Sequence, residues 1–240
     1  MNQELTILQL YPDELNIYGD NGNLLALKKR LEWRGIIPNI VLHNIGDDFE
    51  NYQPDIILAG GGQDSNQLKI GEDLQKITPL LTQWIETGVP ALFVCGAYQF
   101  LGKTNQTLTK QTVPTTRMFN FETVADQERL VGNIVVKSPE FGEVVGYENH
   151  SGRTYLGKEL TPLGRVVEGG GNNGRDHSEG LRYKNLIGTY LHGPILPKNP
   201  AVADFLIKQA LERRYGDSQL SALDDTIEIE AQKQSANRPR

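Results

Sequence analysis

The only cysteine of this 240-residue chain lies within the stretch Pro90-Ala91-Leu92-Phe93-Val94-Cys95-Gly96-Ala97-Tyr98-Gln99-Phe100-Leu101-Gly102. An apolar run of strand length ends at Cys95, and small, helix-compatible residues follow at once, which predicts a strand, a sharp turn and a helix. A thiol on such an elbow stands above the sheet edge at a helix N-terminus, where backbone N–H groups favour the thiolate. We therefore expect Cys95 to be a nucleophile; the alternative is a small, buried apolar side chain.

Strands and helices alternate through the first half of the chain. The predicted strands and helices lie, in order, at 5–10 (strand), 24–34 (helix), 36–42 and 55–59 (strands), a helical region up to 87 with a kink or fresh start at Thr78-Pro79, and the strand before Cys95. This alternation predicts an α/β fold with a doubly wound, mostly parallel sheet, whose ligands bind beyond the carboxyl ends of the strands.

The second half of the chain is less helical. Its predicted strands lie at 130–137, 144–147, 164–167 and 185–191. Turns rich in Gly, Asn and Pro separate them, so we expect this half to add antiparallel strands to the sheet edge.

The last clear element is a helix over 200–215 that Gly216 closes. We therefore expect one main domain over residues 1–216. Residues 217–240 are polar and predict a mobile C-terminal tail or a segment that a partner orders.

Composition limits the classes of ligand and location. A net charge of -6 with interspersed signs argues against nucleic acid and against a basic membrane-binding patch. One cysteine excludes an intramolecular disulfide framework and a cysteine-based zinc cluster, and we assign no metal site. No apolar run approaches the roughly 20 residues that span a bilayer, and Met1–Glu4 lacks the basic start of a signal peptide. We expect a cytoplasmic protein that binds small molecules or another protein.

A cysteine nucleophile needs a base, and the chain has four histidines. His192 follows an apolar strand and precedes Gly193-Pro194, which places it at the same rim as Cys95, and it is our first choice. His150 also follows a strand and is the second candidate. We assign His177 to a surface loop and His43 to a strand end without chemistry. Spacing alone leaves a structural role for His192 equally open.

Three consecutive glycines, Gly60-Gly61-Gly62, follow the third predicted strand. The run lacks the Lys-Ser/Thr of a phosphate-binding loop and the spacing of a dinucleotide fingerprint, so we do not expect a nucleotide site. Glycines here favour close approach of the backbone to a ligand. An N–H of Gly61 or Gly62 could complete an oxyanion hole with the N–H of Gly96.

Three blocks of sequence carry a family resemblance. They are Val94–Gly102 (VCGAYQFLG), Gly146–Thr154 (GYENHSGRT) and Gly188–Gly193 (GTYLHG). Together they resemble the class I glutamine amidotransferase domains of the cobyric acid synthase type, over about residues 5 to 215. Because no synthetase domain accompanies them, the chain is most similar to the stand-alone glutaminase subunits of lipid II isoglutaminyl synthases, which it also resembles at 15–23 and 170–176.

The resemblance implies roles for individual residues. It makes Cys95 the nucleophile that forms a thioester with glutamine and His192 the base for Cys95. It also makes Arg129 the residue that holds the substrate. The alternative for Arg129 is a surface arginine in a turn. Many class I amidotransferases have a glutamate two residues after the catalytic histidine, where this chain has Pro194. We therefore expect any third catalytic group to come from elsewhere in the chain or from a partner.

The resemblance also implies a partner. Ammonia would pass to a Mur-ligase-like synthetase subunit of the MurT type, in a heterodimer. That partner would bind ATP and lipid II and convert the D-glutamate α-carboxyl to D-isoglutamine in peptidoglycan synthesis, and this chain would need no cofactor. Two alternatives stay open: a glutaminase for another amidation, such as corrinoid synthesis, and a catalytically silent regulatory subunit of the same fold. A cysteine peptidase is disfavoured, because no substrate-groove signal is evident.

Overall fold

The computed structural model of the chain describes residues 3–62 and 66–238. Its strands are β1 (Glu4–Leu10), β2 (Ile37–His43), β3 (Ile56–Ala59), β4 (Ala91–Val94), β5 (Gly102–Gln106), β6 (Thr112–Val113), β7 (Phe119–Ser138), β8 (Gly142–Leu156), β9 (Gly164–Glu168), β10 (Ser178–Glu179), β11 (Leu181–Tyr183) and β12 (Leu186–Thr189). Its helices are α1 (Asn21–Glu32), α2 (Gln67–Glu86), α3 (Gly96–Gln99), α4 (Pro200–Tyr215) and α5 (Thr226–Ala236), with a 3-10 turn at Leu196–Lys198.

The first sheet has the strand order β11-β12-β4-β3-β1-β2. All its neighbours are parallel except β11 and β12. The two central strands β3 and β4, with sequences IILA and ALFV, are buried at every residue, as expected for strands covered on both faces. The predicted mostly parallel α/β sheet is confirmed.

Helix α2 is continuous through Pro79, where the sequence predicted a kink or a fresh start. Its apolar side holds it in place, with Ile70, Leu74, Ile77, Leu81 and Ile85 all buried. Burial of a whole helical face outweighs the loss of one backbone hydrogen bond at proline.

A buried arginine joins three helical segments. Arg30 of α1 donates from Nε to Asp204 Oδ1 of α4 at 2.8 Å and from Nη1 to Asp225 Oδ1, just before α5, at 2.5 Å. Its side chain is 4% exposed, whereas each carboxylate is 22% exposed. The sequence did not predict α5, which lies within the polar segment after residue 217, and Asp225 helps to anchor its start.

Most strands of the second half form a second sheet rather than extending the first. Its order is β10-β9-β7-β5-β6, and β8 pairs with β7. The 20-residue β7 and 15-residue β8 make one long antiparallel ladder, while only β11 and β12 join the first sheet. The three-residue β11 occupies the edge of the first sheet beside β12. The β7–β8 ladder therefore lies in the second sheet. Among the described residues, no helix is long and apolar enough to cross a membrane.

Candidate active site

Cys95 occupies a strained turn between β4 and α3. Its backbone has φ 51° and ψ -107°, outside the regions that L-residues ordinarily adopt. The N–H of Cys95 donates to the carbonyl of Thr189, at the end of β12, at 2.8 Å, and the N–H of Gln99 donates back to the carbonyl of Cys95 at 3.0 Å. Such strain persists only where neighbouring structure fixes it, and it is common at reactive sites. The predicted strand, elbow and helix are all present, although α3 has only four residues.

His192 stands beside Cys95 because β12 runs parallel to β4, which brings the carboxyl ends of the two strands together. Two backbone hydrogen bonds with Tyr147 of β8 fix it: His192 N donates to Tyr147 O at 2.8 Å, and Tyr147 N donates to His192 O at 3.1 Å. A Cβ built on Gly61 would lie 2.6 Å from His192 Cε1 and 3.3 Å from Cys95 Cβ. The two side chains therefore border the same glycine.

The other three histidines have different surroundings. The ring of His150 stacks on Tyr190 with centroids 3.7 Å apart and planes 8° apart, and its Nδ1 is 2.8 Å from the carbonyl of Gly152. His177 is exposed in a turn, and His43 is buried at the end of β2. Of the four, His192 is the one that the fold places at the elbow.

Asp20, which sequence reasoning left unassigned, supplies a carboxylate to His192. Asp20 Oδ2 lies 3.6 Å from His192 Nδ1 and accepts a hydrogen bond from Gly61 N–H at 2.7 Å. Neither imidazole nitrogen has a hydrogen-bond partner within normal distance in the described part of the chain, and such contacts commonly tighten when substrate binds. The signal in the sequence was a polar Gly-Asp-Asn-Gly turn between a strand and a helix, at the edge where Cys95 also lies.

The charges around His192 favour its protonated form. Burial alone lowers the pKa of the imidazole, but negative charge on the Cys95 sulfur and on the Asp20 carboxylate raises that pKa to about 10. The raised pKa keeps the buried imidazole protonated at neutral pH, beside the Cys95 sulfur and the Asp20 side chain.

The glycine loop after β3 lies against this pair. The sequence predicted that the N–H of Gly61 or Gly62 could bind an oxyanion. In this structure the N–H of Gly61 donates to Asp20 and is not available for that role. The N of Gly62 would lie 3.4 Å from a Cβ built on Gly96, so the remaining two predicted donors are neighbours. Gly96 opens α3, where the first N–H groups have no acceptor within the helix.

Arg129 and Tyr18 lie at the mouth of the site. Arg129 is exposed in the irregular part of the β7–β8 ladder, and it donates from Nε to Asn149 Oδ1 and from Nη2 to Asn149 O, both at 2.9 Å. The ring of Tyr18 covers His192, with centroids 4.4 Å apart. Burial raises the pKa of Tyr18, and the nearby Arg129 guanidinium opposes that rise. The predicted substrate-binding arginine thus lies near a tyrosine whose ring covers His192.

The sequences of known proteins match this chain over nearly its whole length. The chain is 43% identical over 230 residues to "Lipid II isoglutaminyl synthase (glutamine-hydrolyzing) subunit GatD" of Staphylococcus aureus (strain N315), covering 96% of this chain and 94% of that protein. It is 37% identical to the protein of the same name from Streptococcus pneumoniae (strain ATCC BAA-255 / R6), covering 95% and 88%. Cobyric acid synthase of Pelotomaculum thermopropionicum is 27% identical, but the match covers only 37% of that longer protein.

Solved structures give the same fold. A crystal structure of a glutamine amidotransferase matches with a TM-score of 0.59 and 14% identity, over 85% of this chain and 98% of that one. A glutamine amidotransferase from Thermotoga maritima matches with a TM-score of 0.57 and 14% identity, over 96% and 93%. The model of the CobB/CobQ-like glutamine amidotransferase domain matches residues 6–200. With Cys95 on its elbow and His192 beside it, this chain belongs to the family of CobB/CobQ-like glutamine amidotransferases.

Proposed function

We propose that this chain is the glutaminase subunit of a lipid II isoglutaminyl synthase. It hydrolyses glutamine at Cys95 and delivers ammonia to a Mur-ligase-like synthetase of the MurT type. That partner binds ATP and lipid II and amidates the α-carboxyl of D-glutamate to D-isoglutamine, for peptidoglycan synthesis in the cytoplasm. The observation that carries the proposal is a buried Cys95–His192–Asp20 cluster in a chain that matches two GatD subunits almost end to end.

The reaction proceeds through a thioester. The Cys95 thiolate attacks the side-chain amide carbon of glutamine, forming the C–S bond and an oxyanion. His192, already protonated, gives its proton to the amide nitrogen as the C–N bond breaks, and ammonia leaves. Neutral His192 then takes a proton from water, whose hydroxide adds to the thioester carbon. Collapse of this second oxyanion breaks the C–S bond, releases glutamate and restores the thiolate.

Two backbone amides can stabilise both oxyanions. We assign this role to the N–H groups of Gly62 and Gly96, because Gly61 N–H is held by Asp20. Gly61 contributes differently: its lack of a Cβ lets His192 and Cys95 approach the loop.

Arg129 is suited to the α-carboxylate of glutamine. A guanidinium presents two parallel N–H groups along each edge, and a carboxylate can accept both. Asn149 occupies one edge through Nε and Nη2 and so fixes the plane of the group. The other edge remains for substrate, and Arg129→Lys should raise the KM for glutamine by about tenfold or more because a point charge replaces the fork.

Asp20 is a positioning residue in this scheme. It accepts a hydrogen bond from Gly61 and faces Nδ1 of His192, so it orients the imidazole and stabilises its charge. The glutamate that other class I enzymes carry two residues after the histidine is Pro194 here, and Asp20 reaches the same ring from the loop after β1.

The coverage of the relatives separates the proposal from its nearest alternative. The matches cover 94% and 88% of the two GatD subunits, whereas the match to cobyric acid synthase covers 37% of that protein. The nearly end-to-end match to the GatD subunits therefore favours a two-subunit amidase over corrinoid amidation.

The test compares glutamate release by the chain alone and in complex with a co-expressed Mur-ligase-like synthetase. We expect weak activity alone and a clear rise in the complex, and Cys95→Ala or His192→Ala should abolish both, while the exposed-site control His177→Ala should not. A glutamine-analogue electrophile should label Cys95. Equal rates with and without the partner, or substantial activity in Cys95→Ala, would refute the proposal, and an unlabelled thiol would identify a silent subunit.

A further inference from the structure

Glu179 is a fully buried carboxyl group that the proposed reaction does not use. It lies in β10 of the second sheet, where it pairs with Gly164 of β9, and its side chain reaches across to the first sheet. Glu179 Oε1 accepts hydrogen bonds from Thr189 Oγ1 at 2.7 Å and from Tyr190 N at 2.8 Å. The two donor residues are as fully buried as Glu179 itself. One carboxyl oxygen therefore holds the end of β12 from the neighbouring sheet.

The end of β12 sets the position of both members of the reacting pair. The carbonyl of Thr189 accepts the hydrogen bond from Cys95 N–H at 2.8 Å, and this bond helps to hold the elbow at φ 51°. Tyr190 lies two residues before His192 in the chain. A shift of Thr189 and Tyr190 would therefore move the Cys95 backbone and the His192 imidazole relative to each other.

The backbone after Glu179 is fixed against β12. Gly180 N–H donates to Asn172 Oδ1 at 2.9 Å, and Asn172 Nδ2 donates to the Gly180 carbonyl at 3.0 Å. A Cβ built on Gly180 would lie 2.3 Å from the carbonyl oxygen of Gly188 in β12, so this close approach requires glycine. The carboxyl group of Glu179 is thus presented to β12 from a rigid support.

The two hydrogen bonds do not require a charge on Glu179. Burial raises the pKa of Glu179 to about 7, so the neutral acid and the carboxylate are both populated near neutral pH. Each form has an oxygen that accepts hydrogen bonds, and so does the side-chain amide of a glutamine. A side chain without an acceptor would leave the Thr189 hydroxyl and the Tyr190 N–H without this partner, and buried unpaired donors are costly.

We propose that Glu179 is a positioning residue: it holds the end of β12 from the second sheet and so keeps Cys95 and His192 in the geometry that attack on glutamine requires. The inference rests on the proposed hydrolysis of glutamine at Cys95. Misplacement of a reacting group by about 1 Å can lower a rate about 100-fold. A side chain that never touches the substrate can therefore control kcat.

The first test separates the acceptor from the charge by glutaminase kinetics. Glu179→Met keeps an unbranched side chain and removes the acceptor, so kcat should fall about 100-fold while the KM for glutamine changes by less than about twofold. Glu179→Gln keeps an acceptor and should retain kcat within about threefold. Glu168→Met, exposed in the adjacent strand β9, is the matched control and should behave like the unchanged protein. Equal losses of kcat in Glu179→Gln and Glu179→Met, or no loss in either, would overturn the inference.

The second test follows hydrogen exchange of the Cys95 amide by NMR, without glutamine. This amide donates to the Thr189 carbonyl, so its exchange reports how firmly the end of β12 holds the elbow. Exchange should be about tenfold faster in Glu179→Met than in the unchanged protein, and unaltered in Glu179→Gln and Glu168→Met. Thr189→Val removes one of the two donors, and exchange should rise about threefold.

The Thr189→Val variant also decides the question if Glu179→Met does not fold. Unchanged exchange of the Cys95 amide in Thr189→Val, with an unchanged kcat, would overturn the inference. Because exchange needs no glutamine hydrolysis, faster exchange in a chain without glutaminase activity would refute the proposed function and leave the link between Glu179 and the elbow intact.

Discussion

Replacing Asp20 with asparagine tests the charge that acts on His192. Asp20→Asn keeps the shape of the side chain, and its amide oxygen can still accept the hydrogen bond of Gly61 N–H. The carboxylate charge, 3.6 Å from His192 Nδ1, is removed. Any effect on the chemistry therefore reports electrostatics and orientation rather than collapse of the loop.

The expected size follows from the distance. Two unit charges 3.6 Å apart interact by roughly 5 kcal/mol at an effective dielectric constant of about 20. Desolvation reduces the net effect, and an opposite charge at this range moves a pKa by about 1 to 3 units. We expect the pKa of His192 to fall from about 10 by roughly 2 units. We also expect kcat/KM to fall about 10² to 10³-fold, less than the roughly 10⁴-fold loss in a Ser-His-Asp triad, because the contact here is longer than a hydrogen bond.

The assay follows glutamate release with a coupled dehydrogenase from about pH 6 to about pH 11. In the proposed reaction protonated His192 serves as the acid for departing ammonia, so activity should persist above neutral pH and decline as His192 loses its proton near pH 10. In Asp20→Asn that alkaline decline should begin at lower pH, whereas the exposed control Asp13→Asn should leave it in place. An unmoved alkaline limb with kcat/KM within about threefold of the unchanged protein would refute this role of Asp20.

Three further changes test the loop, the packing and a buried acid. Gly61→Ala places a Cβ 2.6 Å from His192 Cε1, so the imidazole must shift and glutaminase activity should fall about 100-fold or more. Near-normal activity would contradict the packing. Arg30→Met leaves the partly buried Asp225 carboxylate without its arginine, while Asp204 keeps the Arg34 guanidinium. Urea unfolding should show a loss of about 2 to 3 kcal/mol, against less than about 0.5 kcal/mol for the exposed control Lys29→Met. Burial raises the pKa of Glu179 to about 7, so the folded chain holds a proton that the unfolded chain releases between about pH 4.5 and 7. The free energy of unfolding should therefore fall as pH rises through that window. Glu179→Gln should remove about 3 kcal/mol of this fall. Identical pH dependence of the unfolding free energy in the variant and the unchanged chain would contradict this role of Glu179.

The elements that sequence alone predicts are those with local causes. The apolar runs of β1, β3 and β4 have strand length and end in turn residues, so their positions and their parallel arrangement follow from alternation with helices. Cys95 was predictable because the strand, the small residues and the helix are contiguous. His192 was the first choice among four histidines because it follows a strand of the same sheet.

The rest depends on contacts between distant parts of the chain. Asp20 reaches His192 from the loop after β1, and nothing near either residue in sequence indicates that pairing. The same holds for the engagement of Gly61 N–H by Asp20, which changes the expected oxyanion donors. The second sheet was not predicted, because strand partners are set by register and edge availability rather than by the pattern within one strand. Arg129 gains its position from an irregularity in the ladder of that sheet.

Transfer of the glutamine amide nitrogen to lipid II tests the central claim most directly. The measurement uses the chain in complex with a Mur-ligase-like synthetase, ATP, lipid II and glutamine labelled with ¹⁵N at the side-chain amide, with mass spectrometry of the lipid product. We predict ¹⁵N-labelled D-isoglutamine with the unchanged chain, none with Cys95→Ala, and restored amidation of the Cys95→Ala complex when ammonium is supplied. Labelled product from Cys95→Ala with glutamine as the sole nitrogen source would contradict the account, as would an unchanged complex that uses ammonium but not glutamine.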